Sequence, residues 1–180
     1  MHKNLKSILI DEESIIRRSK ELGREITNKY KDEQEPPIFI ALLKGSVPFL
    51  AELIKYVDLD IEIDFMDVSS YGASTESSRD IRILKDLDRS IKGKKIIIVE
   101  DIVDTGRTLV AVKNILENKG ATQIEVVSLL DKPSRREVET KVDFIGFEIP
   151  NEFVVGFGLD FAEKYRNLPY VGVLKDSLYK

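Results

Sequence analysis

The chain has 180 residues, which suffices for one compact domain with a full hydrophobic core. Its 28 basic and 32 acidic residues give a net charge of −4, the wrong sign for a protein whose main work is gripping a nucleic acid backbone. Cysteine is absent, which excludes disulfides and cysteine nucleophiles, and no apolar run is long enough for a signal peptide or a membrane span, so we expect a soluble, cytoplasmic protein that binds neither nucleic acid nor membrane.

Helical and strand-like patterns alternate along the chain. In chain order, the predicted elements are a helix at 11–30, a strand at 38–43, a helix at 47–57, a strand at 96–99, a helix at 108–119, and strands at 124–130, 153–157 and 170–174. The strands are continuous apolar runs, which is typical of strands buried on both faces. This alternation predicts an α/β fold, in which helices cover a mostly parallel sheet and ligands bind where strands end and helices begin.

The segment at residues 99–109, VEDIVDTGRTL, lies at such a strand-to-helix turn. The start of a helix offers unpaired backbone N–H groups, and Gly106 lets the backbone approach a ligand closely. Thr105 and Thr108 add hydroxyl donors. The turn therefore suits a monophosphate group.

Two neighbouring acids, Glu100 and Asp101, end the predicted strand before this turn. Adjacent carboxylates destabilise each other unless they meet hydrogen-bond donors or a cation, and sugar hydroxyls together with Mg²⁺ would supply both. The acids and the turn together indicate a ribose 5-phosphate site. The alternative is that Asp104 and Thr105 only cap the helix while the two acids face solvent.

The whole segment resembles the phosphoribosyl pyrophosphate motif of type I phosphoribosyltransferases: a hydrophobic strand, two acids, two apolar residues and Asp-Thr-Gly-basic-Thr. Other phosphate loops do not fit, since no G-x-x-x-x-G-K-[ST] occurs and residues 156–158 lack the third glycine of a dinucleotide fingerprint. The resemblance implies that the phosphoribosyl group is bound by Glu100, Asp101, Asp104, Thr105, Gly106, Arg107 and Thr108.

The resemblance is to the hypoxanthine-guanine branch of the family and runs from about residue 8 to residue 174. It implies the type I phosphoribosyltransferase fold in a single domain at 1–180, with a core at about 36–155 and a small hood from about 1–10 and 150–180. The implied reaction is Mg²⁺-dependent transfer of 5-phosphoribosyl from phosphoribosyl pyrophosphate to hypoxanthine or guanine, giving IMP or GMP in purine salvage. It also implies a homodimer or homotetramer, the usual states in the family.

A second turn follows the first predicted strand and reads LLKGS at residues 42–46, just before a helix start with a proline. The corresponding loop of the family holds pyrophosphate. The resemblance therefore assigns Lys44 and Gly45 to pyrophosphate binding and implies a cis peptide bond at Leu43–Lys44. On its own, Lys44 would be an ordinary surface lysine.

A third turn, LLDKPSRR at residues 129–136, resembles the purine-recognition segment of the family. Lys132 would donate to the six-position oxygen of the base, and because an ammonium group only donates, it favours a 6-oxopurine over adenine. Arg136, with Arg135 as the alternative, would contact pyrophosphate. Without the resemblance this cluster is a solvated basic turn.

The C-terminal part, from residue 144 onwards, resembles the last part of the family's site. Phe153 would stack on the purine ring, and the backbone of Val154 would contact its edge. Asp160 matches an acid of the purine and magnesium site, and Arg166 matches a pyrophosphate contact whose guanidinium can hold two oxygens at once. An aromatic residue beside two valines is otherwise typical of a core.

The resemblance also assigns roles in the reaction. Asp104, beside the ribose, is the candidate general base for the purine ring nitrogen that attacks the ribose. Glu100 and Asp101 hold the ribose hydroxyls and, with Asp160, the Mg²⁺ ion.

A polar segment at about 70–82, which begins with Ser70 and Tyr71, resembles the family's mobile catalytic loop. We expect this segment to be poorly ordered without ligand and to close over the reacting centre, which excludes water. From the residues alone it is an ordinary surface loop.

Two alternatives belong to other classes of function or substrate. A regulator that senses phosphoribosyl pyrophosphate while it binds nucleic acid is disfavoured by the net acidity and by the joint presence of Lys132 and Asp104, which only base chemistry requires. A transferase that prefers xanthine is not separated by the sequence, because the two-position group of the purine is contacted mainly by backbone atoms. His2, the only histidine, lies near the terminus and has no assigned role.

Overall fold

The structure, a computed structural model, describes residues 1–70 and 81–179, which form nine strands and three α-helices. The strands are β1 (Leu5–Ile10), β2 (Ile38–Leu42), β3 (Ile63–Ser70), β4 (Ile81–Lys85), β5 (Lys95–Val103), β6 (Gln123–Asp131), β7 (Phe144–Glu148), β8 (Val154–Val155) and β9 (Val171–Leu174). The helices are α1 (Glu12–Tyr30), α2 (Val47–Leu53) and α3 (Arg107–Asn118). Short 3₁₀ turns lie at Ile54–Tyr56, Pro133–Arg135 and Asp176–Leu178. No helix in these described ranges is long and apolar enough to cross a membrane.

The central sheet has six strands in the order β4-β3-β2-β5-β6-β7. All neighbouring pairs are parallel except β3 and β4, so the antiparallel pair lies at one edge. The predicted α/β fold with a mostly parallel sheet is confirmed. Because parallel strands end at the same edge of a sheet, the loops after β2, β5 and β6 meet there.

The sheet is covered on both faces, and β5 shows why its sequence is a continuous apolar run. Ile97 and Val99 belong to the core cluster that also contains residues of α1 and α2, whereas Ile96 and Ile98 pack into the cluster that contains residues of α3. Successive side chains of a strand point to opposite faces, so a strand buried on both sides needs apolar residues throughout.

A separate three-stranded antiparallel sheet, in the order β1-β9-β8, joins the two ends of the chain. The apolar runs at 153–157 and 170–174 do contain buried strands, but these strands belong to this small antiparallel sheet and not to the main parallel one. The strand β8 has only two residues, because Gly156 adopts a φ of 100° and the chain turns away after it. Local hydrophobicity does not distinguish a strand of the main sheet from one of this small sheet.

Several boundaries also differ from the prediction. The strand β5 continues through Val103, so Glu100 and Asp101 lie within it and not after its end. The helix α2 ends at Leu53, where a single 3₁₀ turn follows. The strand β3 was not predicted, since its sequence IDFMDVSS mixes acids and serines with the apolar residues.

Candidate active site

The turn between β5 and α3, residues 104–108, is referred to here as the Gly106 turn. Gly106 has a φ of 82° and stands at the N-cap of α3, where Arg107 begins the helix. A Cβ atom built on Gly106 would lie 2.8 Å from Cγ2 of Thr140 and 3.0 Å from Cδ of Arg136. Both the backbone conformation and the close packing therefore require glycine at this position.

The Gly106 turn and the end of β5 line a cavity of about 230 Å³, the β5 cavity, whose lining includes Glu100, Asp101, Asp104, Thr105 and Thr108. The first N–H groups of a helix have no acceptor within the helix, so the start of α3 offers donors beside this cavity. Carboxylates and amide donors thus lie along the two sides of one small space.

Glu100 and Asp101 are ionisable groups in an environment that disfavours their charges. Burial raises the pKa of Glu100 well above its usual range, and the neighbouring Asp101 carboxylate raises it further. Burial raises the pKa of Asp101 to about 6, although the backbone N–H of Ile102 and the guanidinium of Arg166 favour the charged form. Oδ1 of Asp101 accepts a hydrogen bond of 2.7 Å from that N–H group. The pair is suited to a cation that would offset its negative charge.

The loop after β2, residues 43–46, is the Lys44 loop, and it packs directly on Asp101. The Leu43–Lys44 peptide bond is cis, as the resemblance implied. A Cβ atom on Gly45 would lie only 1.7 Å from Oδ2 of Asp101. A side chain at this position would displace Asp101 or the loop. The side chain of Lys44 is exposed and pairs with Glu163 at 3.0 Å.

Arg166 lies in the C-terminal loops near the same place. Its Nη1 donates to the carbonyl of Gly158 at 2.8 Å, and its Nη2 pairs with the carboxylates of Asp160 at 3.0 Å and Glu163 at 3.2 Å. Its Nε is buried and has no hydrogen-bond partner among the described residues. A Cβ atom on Gly158 would lie 1.9 Å from the carbonyl oxygen of Gly45, so these C-terminal loops also contact the Lys44 loop.

A larger cavity of about 580 Å³, the β6 cavity, lies beyond the end of β6. Lys6, Asp104, Lys132, Arg135, Phe153 and Tyr179 are among the residues that line it. Asp104 therefore lines both cavities. Its Oδ1 accepts a hydrogen bond of 3.1 Å from Nε of Arg135.

Lys132 is a buried lysine, with 6 % of its surface exposed. Its Nζ donates to the carbonyl of Glu152 at 2.7 Å. Burial lowers the pKa of Lys132, and the nearby Asp104 carboxylate opposes that shift. An ammonium group carries three N–H donors, so the bond to Glu152 leaves two for a ligand in the β6 cavity.

Phe153 is 37 % exposed, an unusual state for a large aromatic ring between buried segments. Its ring stacks on that of Tyr179, with centroids 4.7 Å apart, and is perpendicular to the ring of Phe161. Val154 lies in β8 at the edge of the small sheet. One side of its backbone therefore has no strand neighbour among the described residues.

Comparison with known proteins identifies the family. The profile of the phosphoribosyl transferase domain matches residues 8–162. The chain belongs to the phosphoribosyltransferase family. It is 55 % identical over 179 residues to the hypoxanthine-guanine phosphoribosyltransferase of Lactococcus lactis, covering 99 % of this chain and 96 % of that protein. It is 52 % identical over 180 residues to that of Bacillus subtilis, with 100 % and 99 % covered.

Solved structures agree with this assignment. A hypoxanthine phosphoribosyltransferase from Staphylococcus aureus superposes with a TM-score of 0.94 at 46 % identity, and the match covers 100 % of this chain and 97 % of that one. The predicted family and fold of this phosphoribosyltransferase are confirmed.

The structure of the phosphoribosyltransferase brings most of the predicted site residues to one edge of the sheet. Glu100, Asp101 and the Gly106 turn line the β5 cavity, whereas Lys132 and Phe153 line the β6 cavity. The roles assigned to these residues stay predictions. Ser70 ends β3, and Tyr71 with the rest of the predicted lid up to residue 80 lies outside the described residues.

Two features of this site were not predicted from the sequence. Tyr179 stacks on Phe153, although nothing in the local pattern near the end of the chain marks it. Arg136, which the resemblance assigned to pyrophosphate, has its guanidinium against the backbone of Val103 and Asp104. Both contacts join segments that are more than 25 residues apart in the chain, so a local pattern could not reveal them.

Proposed function

We propose that this phosphoribosyltransferase works in purine salvage and transfers 5-phosphoribosyl from phosphoribosyl pyrophosphate to hypoxanthine or guanine, releasing pyrophosphate with IMP or GMP. One observation carries the proposal: Asp104 lines both the β5 cavity, which suits a ribose 5-phosphate, and the β6 cavity, which contains Lys132. A base and a ribose in these cavities would meet beside one carboxylate. The names and full-length similarity of the relatives support the same substrates.

The choice of purine follows from Lys132. Its ammonium group can only donate, which favours the six-position oxygen of hypoxanthine, guanine or xanthine and disfavours the amino group of adenine. Phe153 would stack on the purine ring from its exposed position in the cavity, and the free backbone edge of Val154 would contact the edge of the base.

Asp104 is proposed as the general base. It would accept the proton of the purine ring nitrogen as that nitrogen attacks carbon one of the ribose. Asp104 belongs to the Gly106 turn. The turn that would hold the 5-phosphate would therefore also fix the position of the general base relative to the ribose.

The residues around the β5 cavity fit Mg²⁺. Glu100 and Asp101 are adjacent carboxylates with raised pKa values, so a divalent cation there would relieve an unfavourable pair, and Asp160 lies close enough to raise the pKa of Asp101. No group of three or more acidic or histidine side chains that could hold a metal occurs among residues 1–70 and 81–179. Such a group is not needed, since Mg²⁺ is commonly held by one or two carboxylates and substrate phosphates. When bound, Mg²⁺ would neutralise charge on the leaving pyrophosphate.

The Lys44 loop and Arg166 would bind that pyrophosphate. Lys44 and Gly45 lie on a loop that touches Asp101. The buried Nε of Arg166 is a hydrogen-bond donor that has no acceptor among the described residues. Both cations are paired with Glu163 in the described structure, and binding of pyrophosphate would replace that carboxylate.

A panel of bases tests the proposal directly. Nucleotide formation would be followed with phosphoribosyl pyrophosphate, Mg²⁺ and each of hypoxanthine, guanine, xanthine, adenine and uracil. We expect turnover of hypoxanthine and guanine, none of adenine or uracil, and loss of activity when the metal is chelated. Failure to convert any 6-oxopurine would overturn the proposal, whereas a preference for xanthine would change the substrate and keep the class. A homodimer or homotetramer in the cytoplasm is the state we propose, and sedimentation of the purified protein would test the oligomer.

The buried acids lead to a prediction about stability. The pKa of Asp101 is raised in the folded protein, so folding favours its protonated form and this stabilisation is lost as the pH rises from about 4 to about 6. In metal-free buffer at pH 7.5, Asp101→Asn should therefore raise the melting temperature. Each added 1 kcal/mol in the free energy of unfolding raises the melting temperature by ~2–4 °C in a chain of this length.

The increase should shrink as the pH falls towards 4, where the parent carboxyl is protonated. Thermal unfolding of both proteins across this pH range measures the effect, with the exposed Asp60→Asn as the matched control. A difference that does not depend on pH would contradict this account of Asp101. Activity of Asp101→Asn should fall, because the residue is a proposed ribose and metal ligand.

A further inference from the structure

The segment after β6, residues 132–138, is the Arg136 segment, and it runs along one side of the Gly106 turn. Its donors bind the carbonyl oxygens of Val103, at the end of β5, and of Asp104 and Thr105 in the turn. Val103 O accepts from Lys132 N and Arg136 Nη1, both at 3.0 Å, Asp104 O accepts from Arg136 Nη1 at 2.7 Å, and Thr105 O accepts from Glu137 N at 3.0 Å and Val138 N at 3.4 Å. The carbonyl side of the turn is thus bound to this segment.

These bonds determine which backbone groups of the turn a ligand can meet. The carbonyl oxygens of residues 103–105, which line the β5 cavity, are already bound by donors of the Arg136 segment. An anion in that cavity would then meet N–H groups at the start of α3 and not the repelling carbonyl dipoles. The Arg136 segment therefore holds the backbone that borders the β5 cavity.

Among the described residues, Arg136 is the only one of this segment whose side chain donates hydrogen bonds to these carbonyls. Its Nη2 pairs with the carboxylate of Asp131, a buried residue at the end of β6, and its Nη1 bridges the carbonyls of Val103 and Asp104. Its side chain is only 16 % exposed, and its Cδ lies 3.0 Å from where a Cβ of Gly106 would stand. The guanidinium is thus packed against the turn and held by acceptors of the protein itself.

We infer that Arg136 is a positioning residue that fixes the Gly106 turn to the end of β6, and that it is not a ligand of pyrophosphate. The inference rests on the proposed function, since it takes the Gly106 turn as the 5-phosphate site. Asp131 is followed directly by Lys132, the proposed contact of the purine. The guanidinium of Arg136 therefore connects the end of β6, next to this lysine, to the turn whose N–H groups would bind the 5-phosphate. This replaces the pyrophosphate role that the resemblance gave to Arg136.

Binding of two separate ligands distinguishes the two roles. Calorimetry would measure the dissociation constants of GMP, which carries the 5-phosphate, and of pyrophosphate with Mg²⁺. Arg136→Lys keeps the charge beside Asp131 but lacks the planar fork whose one nitrogen pairs with Asp131 while the other binds the two carbonyls. For this variant we expect GMP to bind at least about 10-fold more weakly and Mg²⁺-pyrophosphate to change less than about 2-fold. A general loss of structure would weaken both ligands together.

The double variant Asp131→Asn/Arg136→Gln removes both charges, so no buried carboxylate is left unpaired, and it should give the same pattern if Arg136→Lys folds poorly. Arg89→Lys, an exposed arginine outside both cavities, is the matched control and should change neither constant. The inference would be overturned if the substitution weakened pyrophosphate binding by a larger factor than GMP binding, or if it left GMP binding unchanged. If the unaltered protein fails to bind GMP more tightly than guanosine, the proposed function itself fails, which is a distinguishable result.

Discussion

Asp104→Asn should lower the turnover number by about 10²-fold or more, the scale of general-base catalysis, while GMP still binds. The amide has the size of the carboxylate and can still accept the hydrogen bond from Arg135, but it cannot take a proton from the purine ring nitrogen. Steady-state kinetics with hypoxanthine and guanine, together with calorimetry of GMP, measure the two parts of this expectation.

Glu139→Gln is the matched control for this variant. It makes the same change from carboxylate to amide a few residues from Arg135, on an exposed side chain that lines neither cavity, and should leave turnover unaltered. An unaffected rate in Asp104→Asn would remove Asp104 from the role of base. A loss of GMP binding as large as the loss of turnover would instead indicate that Asp104 mainly shapes the Gly106 turn.

The position of Asp104 between two cavities was only partly predictable. The sequence places a turn with a glycine and two threonines between a strand and a helix, and local chemistry is enough to predict a phosphate site from it. The β6 cavity depends on Phe153 and Tyr179, which come from the far end of the chain. Contacts of that kind arise from how the small sheet packs, and no local periodicity encodes them.

The strands show the same limit. Doubly buried strands such as β5 are continuous apolar runs, and the sequence predicts them well. The sequence of β3 has acids and serines because this strand lies next to the edge of the sheet, so its pattern does not stand out from a loop. The run at residues 153–157 is apolar but contains Gly156, whose positive φ ends the strand after two residues.

The role of Arg136 illustrates how a resemblance and a structure inform different questions. The resemblance assigns a basic residue of the turn after β6 to an anionic ligand. In the folded protein the acceptors of its guanidinium are two carbonyls and the buried Asp131. Both Nη atoms of Arg136 have protein acceptors, which suits a residue that organises backbone geometry, whereas Nε of Arg166 has no hydrogen-bond partner among the described residues.

Lys132→Met should lower kcat/KM for hypoxanthine and guanine by about 10- to 10²-fold, the effect of losing one hydrogen bond from a charged donor in a buried site. Methionine has a similar length and no donor, so the cavity keeps its shape while the six-position oxygen loses its partner. The KM for phosphoribosyl pyrophosphate should change little, because Lys132 lines the β6 cavity and not the β5 cavity.

Discrimination against adenine gives this variant its sharpest test. In the parent protein the ammonium group of Lys132 would face the amino group of a bound adenine, where two donors repel each other. Removal of the ammonium group should therefore lower the ratio of hypoxanthine activity to adenine activity. Lys113→Met is the matched control. Burial also lowers the pKa of Lys113, and its Nζ also donates to a backbone carbonyl, but this lysine lies on α3 and lines neither cavity. Competition between the two bases in one reaction measures the ratio. If Lys132→Met leaves it unchanged, the six-position group of the purine is recognised by another part of the protein.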